Sequence, residues 1–494
     1  MKKRKINIFN LGLLSGLILL LLPRCVELEE KPLDFTNPDN FYASVSQIES
    51  AFASSMQRLF SPWGSYAYTY YNFQDDDQYD YGELLIEDNH GSDLWRAHYE
   101  SIADINPAIK ALNEDRLASI VPAISQDVKD QLMAQAKFVR AFNYFSLVRL
   151  WGPVPLITEE TDLTPEIVGP PQITRSPISD VYALIESDLL FAVSKLPEAW
   201  SGGQIGRPSK DAARTLLAKV YITMATAPMN DATKYVKARD MALQVMTATS
   251  HYLVHNVEDV FKLENAYGPE MIWSFNASQD DPMTEPQIWL PGSMADGWGD
   301  IHPDVIWSAK YPDQPRRDAY LQLENWDGVP AEDDPGFWWG GPGIRKFIYE
   351  SRENLERYFS AQNYPLLRYA DALLLFAEAE NQVNNGPNQE ACDAVNEVID
   401  RANGYVDNPA YPKLTTALSK DEFDAAVINE RNLELCFEYD RWYDLCRKRI
   451  LLEMSIPEIQ QNFSEDDYLW PIPINDMRLN PLLTQNDGYA GPSD

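Results

Sequence analysis

The segment MAQAKFVRAFNYFSLVRLWG (133–152) most constrains the fold. Ala134, Phe138, Ala141, Phe145 and Val148 recur at spacings of four and three, which puts them on one seam of an α-helix. The seam stops at Gly152-Pro153-Val154-Pro155, where glycine and two prolines cannot continue a helix. Further helical periods cover about 37–60, 92–113, 177–196, 208–225, 231–249, 364–383, 389–403, 421–437 and 439–450. Alanines stand where neighbouring helices would cross: Ala134 and Ala141, Ala212 and Ala218, Ala370 and Ala377. Close-packed helix pairs of this kind follow the logic of tetratricopeptide repeats, although their spacing is too irregular for a free-standing solenoid.

One stretch breaks the pattern. Residues 271–347 hold seven of the thirteen tryptophans, nine prolines and eight glycines, with no sustained helical period. A mostly α fold is therefore expected, with helix pairs at about 130–250 and 364–451 and a loop-rich aromatic insert at about 265–350. Minor β structure is expected near 253–276 and 468–474.

The N-terminus reads as a leader. Lys2, Lys3, Arg4 and Lys5 precede an apolar run from Leu11 to Leu22, too short for the roughly 20 residues of a membrane span. Cys25 follows at once, a placement that predicts a signal over 1–24, acylation of the Cys25 thiol and a lipidated tether over 25–40. Pro23 and Arg24 stand where such signals usually carry small residues. The remainder, 41–494, reads as one domain.

The formal charge is −34. Removing residues 1–24, with five basic residues and no acidic one, takes it to −39. Such a surface repels phosphate backbones and argues against a nucleic-acid partner. With Cys25 assigned to lipid, Cys392, Cys436 and Cys446 are left, an odd number in apolar helical stretches, which reads as free thiols. No zinc, iron, phosphate-loop or nucleophile-elbow motif is present, so no catalytic residue and no metal ligand is assigned. Acidic pairs and a triplet (Asp75 to Asp77, Asp280-Asp281, Asp333-Asp334, Asp466-Asp467) could hold calcium, but none has EF-hand spacing, and solvated loop acids are the expectation.

Ordered blocks along the chain carry a resemblance: NFYASVSQIESAF (40–52), DLWRAHYESIADINPAI (93–109), AKFVRAFNYFSLVRLWGPVPLIT (136–158), GRPSKDAARTLLAKVYI (206–222), YPLLRYADALLLFAEAENQV (364–383), NERNLELCFEYDRWYDLCR (429–447) and YLWPIPINDMRLNPLLTQNDGY (468–489). Together they resemble the SusD/RagB family of outer-membrane lipoproteins of Bacteroidetes. The resemblance implies a SusD-like fold with four tetratricopeptide-like helix pairs, a surface-exposed lipid anchor at Cys25, and export favoured by Glu27, Glu29 and Glu30. It also implies a lid over a SusC-type TonB-dependent transporter that captures oligosaccharide for import.

Within these helices, Arg140 and Arg149 are expected to snorkel or to pair with acids on neighbouring helices. Glu430, Arg431, Glu434, Glu438 and Arg441 offer one another partners at spacings of three, four and seven. This group reads as structural.

Two aromatic-rich segments are candidates for a ligand surface: 60–83, with nine aromatic residues, and 271–347. A pyranose lays flat C–H bonds on an aromatic face, while its hydroxyls need polar partners beside the ring. Trp63, Tyr66, Tyr71, Trp289, Trp298, Trp338 and Trp339 are the aromatic candidates, with Asp76 and Asp77 as polar ones. Two other functions compete with glycan capture. A peptide or glycopeptide cargo would keep the fold. A two-carboxylate glycosidase would need an acid pair that 75 acidic residues supply by chance alone, so a non-enzymatic protein without a cofactor is expected.

Overall fold

The computed structural model describes residues 41–63, 89–120, 123–161, 173–278, 280, 286–438, 440–453 and 463–492. The leader, Cys25 and the tether lie outside these residues, and the described architecture belongs to the unit from Tyr42 onward. Ten described helices have eight residues or more: α1 Val45–Trp63, α2 Asn89–Asn113, α3 Gln126–Trp151, α4 Ile178–Lys195, α5 Lys210–Ala225, α6 Lys234–Met246, α7 Tyr369–Val383, α8 Gln389–Ala402, α9 Lys420–Glu434 and α10 Arg441–Lys448. Four sequential pairs pack together, α1 with α2, α3 with α4, α5 with α6 and α7 with α8. Each pair also packs on the next, through α2 and α3, α4 and α5, and α6 and α7, giving a continuous stack. None of the described helices is long and apolar enough to cross a membrane.

Helix α3 is the axis of this stack. Ser125 opens it, its side chain accepting from the Val128 amide, and Gly152 closes it at φ 71°. A Cβ at position 152 would meet only the flexible end of Leu469, at 2.9 Å, so it is the backbone conformation that calls for glycine. The expected seam is buried, but so are Gln135, Arg140, Phe142, Asn143, Tyr144, Leu147 and Trp151 around the rest of the helix. The segment is a central helix covered on every side. The crossing alanines Ala134, Ala141, Ala212, Ala218, Ala370 and Ala377 are all fully buried.

The described strands form three antiparallel pairs. They are β1 (Val154–Pro155) with β2 (Arg175–Ser176), β3 (Met271–Phe275) with β6 (Tyr364–Arg368), and β4 (Leu321–Gln322) with β5 (Gly343–Ile344). In the longest pair Met271 lies opposite Arg368 and Phe275 opposite Tyr364. Strand β3 falls within 253–276, where β structure is expected, but two other features differ from the expectation. The first five residues of the segment read as a helix, YPLLR, are extended, and α7 begins only at Tyr369. Pro365 explains the shift: it biases Tyr364 away from helical ψ and cannot donate an amide hydrogen bond. Residues 468–474 form no strand, because Pro471 and Pro473 deprive a ladder of amides. They dock instead on the end of α3. The Trp470 amide donates to Leu150 O (2.6 Å) and Trp151 Nε1 to Pro471 O (3.1 Å).

Aromatic contacts fasten the strands to the helices. Trp273 of β3 meets Phe138 and Phe142 of α3 edge-on at 4.8 and 5.1 Å. Trp151 stands between Trp95 of α2 (5.2 Å) and Trp470 (5.8 Å).

The aperiodic segment is also held by buried charge. Arg316 reaches Glu430 (2.5 Å) and Glu434 (3.1 Å) of α9. Lys346 reaches Glu438 at 2.7 Å and the carbonyls of Glu434 and Cys436. Arg368 of β6 contacts Glu270, Glu434 and Glu438. Arg401 of α8 contacts Glu270 and Glu434, both at 2.5 Å. Burial disfavours the ionised Glu434, but Arg401, Arg368, Arg316 and Lys346 outweigh it and hold its carboxyl well below the usual range. At Glu430 burial wins, and its pKa is raised.

Glu430, Glu434 and Glu438 therefore take their partners from distant segments, in place of the spacings along their own helix. Arg431 points to another group, Asp371 (2.6 Å) and Asp444 (2.7 Å). Trp442 and Tyr443 are buried beside it. Arg140 pairs with Asp188 of α4 at 2.7 Å and with Glu159. The side chains of Cys392 and Cys436 are buried and that of Cys446 is partly buried.

Candidate functional site

The loop segment that the buried ions anchor also carries a small core of its own. Leu290, Met294, Ala331, Phe337 and Leu355 pack together, flanked by Trp326 and Trp339. Backbone bonds from the Trp298 amide to Gln287 O (2.9 Å) and the Ile301 amide to Ile288 O (3.0 Å) tie the 297–301 turn to this core. Gln287 is itself fixed, its Nε2 donating to Leu355 O at 2.8 Å. The backbone of Gly299 has φ +61°, and a Cβ there would lie 2.4 Å from Trp339 Cζ3. The turn and the tryptophan doublet are therefore in direct van der Waals contact.

On this base sits an aromatic platform. The ring of His302 stacks on Trp339 with centroids 4.5 Å apart and planes 4° from parallel. Trp338 meets His302 and Trp339 edge-on at 5.3 and 5.6 Å. Trp339 Nε1 donates to Pro342 O at 2.8 Å, and Trp338 Nε1 to Trp298 O at 3.2 Å. Burial pushes the His302 imidazole down to about 4, so it is neutral at pH 7 and stacks without a charge to solvate. The two outer rings remain open: Trp338 is 56% exposed and Trp298 37%. Asp296 and Asp300 lie in the same turn as Trp298, Asp296 exposed and Asp300 partly so. The arrangement offers flat apolar faces, with the Trp338 and Trp339 indoles fixed by hydrogen bonds at their edges, and a turn that carries an exposed carboxylate, Asp296.

The candidates divide by position. Trp298, Trp338 and Trp339 come together, with Trp339 as the half-buried support of the other two. Trp289 is buried in the core, tilted against Phe347 at 5.1 Å, and offers no ligand surface. Trp63 is the last residue of α1. Its side chain, and Tyr66, Tyr71, Asp76 and Asp77, lie outside the described residues.

Among the described residues no three His, Cys, Asp or Glu side chains gather to hold a metal. Two of the paired acids serve the loops instead. Asp334 is opposed by burial, but hydrogen bonds from Ser293, the Gly336 amide and Asn325 hold it below the usual carboxylate range. Asp467 accepts from Ser464 and from the Tyr489 hydroxyl at 2.6 Å.

Sequence reasoning missed a second aromatic cleft, of about 360 Å³, between the loop before α5 and residues 250–276. Trp200, Tyr252 and Tyr267 line it with Glu198, Arg207 and Asn276. These rings are scattered singly along the chain, outside both aromatic-rich segments, so no local signal marks them.

Two family models match the chain: the SusD family over residues 317–489, and "starch-binding associating with outer membrane" over residues 38–222. SusD-like protein P2 of Formosa agariphila is 27% identical over 99% of this chain and all of its own length. Solved structures share the fold. Surface glycan-binding protein A from Bacteroides uniformis superposes with a TM-score of 0.73 at 20% identity, covering 90% of this chain and 99% of its own. A laminarin-binding SusD-like protein gives 0.70 at 21%, with the same coverage.

Proposed function

The chain belongs to the SusD/RagB family, and on that premise we propose that it is a glycan-binding lipoprotein of the outer membrane. In this reading Cys25 carries the lipid, and the folded unit captures oligosaccharide at the cell surface. It delivers that cargo to a SusC-type TonB-dependent transporter. The observation that carries the reading is the pair of open tryptophans, Trp298 and Trp338, on a base that cannot rotate away. A rigid aromatic face pays little ordering cost when a sugar ring settles on it, and the exposed Asp296 in the same turn can accept from hydroxyls. The names of the surface glycan-binding and laminarin-binding structural neighbours agree with this class of ligand. The aromatic segment 64–83, with Tyr66, Tyr71, Asp76 and Asp77, is proposed to complete the ligand surface.

The protein binds and does not cleave. Titration of a panel of neutral oligosaccharides should find at least one ligand, with no new reducing ends released. Trp338→Ala and Trp298→Ala should each weaken it at least about tenfold, roughly 1.4 kcal/mol. Absence of binding by every glycan at millimolar concentration, or unchanged affinity in both variants, would overturn the assignment, and co-purifying peptides would replace it with a peptide cargo.

A further inference from the structure

Arg149, on α3, is an exception among the buried and half-buried arginines. Arg140, Arg316, Arg368, Arg401, Arg431 and Arg447 each contact at least two carboxylates. Arg175 donates from all three of its side-chain nitrogens to carbonyl oxygens. Arg149 donates once, from Nε to Phe145 O at 3.1 Å, and no carboxylate among the described residues lies within ion-pair reach. Its guanidinium carbon lies over the rings of both Phe145 and Tyr443, 3.8 and 3.5 Å from their centroids. The two ring contacts and the Nε bond hold the group in place, while its terminal N–H groups have no protein acceptor among the described residues.

The same side chain lines a cavity of about 260 Å³. Val148, Tyr182, Tyr443, Tyr468 and Leu469 give it apolar walls, and Arg447 and Arg449 also reach it. Glu378 and Asp444 neutralise Arg447. Arg449, at the exposed rim, packs 4.3 Å from the Tyr468 ring and has no carboxylate partner among the described residues. The cavity thus presents three arginines and no acidic residue, in a chain with 75 acids against 41 bases. A pre-oriented guanidinium with open N–H edges matches a planar or tetrahedral oxyanion, and apolar walls match a sugar ring.

We propose that this cavity is a subsite for one anionic sugar unit, a uronate or a sulfate ester, with Arg149 as its principal ligand and Arg449 as a second donor at the rim. The proposal rests on the glycan-capture reading and adds a charge preference to it, at a place remote in sequence from the tryptophan platform.

The test is calorimetric titration of the full-length chain in detergent with trigalacturonate, a monosulfated trisaccharide and a neutral trisaccharide. At least one acidic ligand should bind roughly tenfold or more tighter than the neutral one. Arg149→Gln should abolish that difference, Arg449→Gln should reduce it several-fold, and Trp338→Ala should leave it in place. Which acidic ligand prefers the site tells carboxylate from sulfate. Arg449→Gln changes an exposed side chain and decides the matter if Arg149→Gln melts early. Equal affinity for acidic and neutral ligands overturns the subsite while leaving glycan capture standing, as does an acidic preference that survives both arginine variants. Loss of all glycan binding in the wild type would sink both.

Discussion

Glu434 offers the sharpest test of how the loop segment is held to the helices. Its carboxylate is fully buried and touches Arg401 (2.5 Å), Arg316 and Arg368 (both 3.1 Å) and the Tyr320 hydroxyl (2.8 Å). In the cluster, Arg316, Lys346, Arg368 and Arg401 face Glu270, Glu430, Glu434 and Glu438, four bases against four acids. Glu434→Gln keeps the shape but removes one negative charge and turns an amide N–H₂ towards groups that are all donors. Breaking a buried pair from one side costs about 3–5 kcal/mol, because the remaining charge is left uncompensated. Unfolding entropy of about 2.1 cal/mol/K per residue gives roughly 1 kcal/mol/K for a domain of this size, so the melting temperature should fall by about 3–5 °C.

The companion variant decides the mechanism. Arg401→Met in the Glu434→Gln background removes one charge of each sign and restores the balance. Differential scanning calorimetry of both single variants and the double variant should show a coupling of about 2–3 kcal/mol, the double variant being more stable than the sum of the singles. A drop below about 1 °C for Glu434→Gln, or strict additivity, would refute the view that net charge in this cluster fixes the loop segment.

Acid should act on the fold through two successive windows that meet near pH 4. His98 and His302 are both pushed down to about 4 by burial, from an ordinary 6.5. The unfolded chain takes up these protons first, so stability is full above pH 6.5 and is lost as pH falls towards 4, by up to about 3 kcal/mol per histidine. Urea midpoints across that range should fall accordingly, and His302→Gln should flatten part of the slope. At Glu186 burial is outweighed by Lys234, Lys237 and Tyr221, which hold it at about 2 against 4.5, so its contribution is present above pH 4.5 and lost towards pH 2. Glu186→Gln should shrink the acid-induced loss in that lower window. Gly299→Ala forces a Cβ against Trp339 at a positive φ, and should cost at least about 1–2 kcal/mol in thermal melts while weakening glycan binding. Unchanged binding in that variant would mean that the platform does not depend on the turn beneath it.

Helical periodicity is a local property, and the helix pairs were legible from it. Burial is not local: the seam of α3 announced one covered face, whereas strands β3 and β6 and the C-terminal segment cover the others. Strand β6 was hidden because YPLLR runs straight into a strong helical pattern, and only Pro365 marks the change. The acids at 430, 434 and 438 declared a charged face by their spacing, but not their partners, since Arg316, Lys346, Arg368 and Arg401 arrive from other segments. The tryptophan doublet shows the same limit within the site. Trp338 and Trp339 are adjacent and chemically identical, yet one is open and the other is a support. What separates them lies 40 residues upstream: Trp298 O takes the Trp338 indole N–H. His302 covers one face of Trp339, and Gly299 leaves just enough room beneath it. Composition can therefore place a ligand surface in a segment, but the choice of which ring meets the ligand belongs to the turn that packs against it.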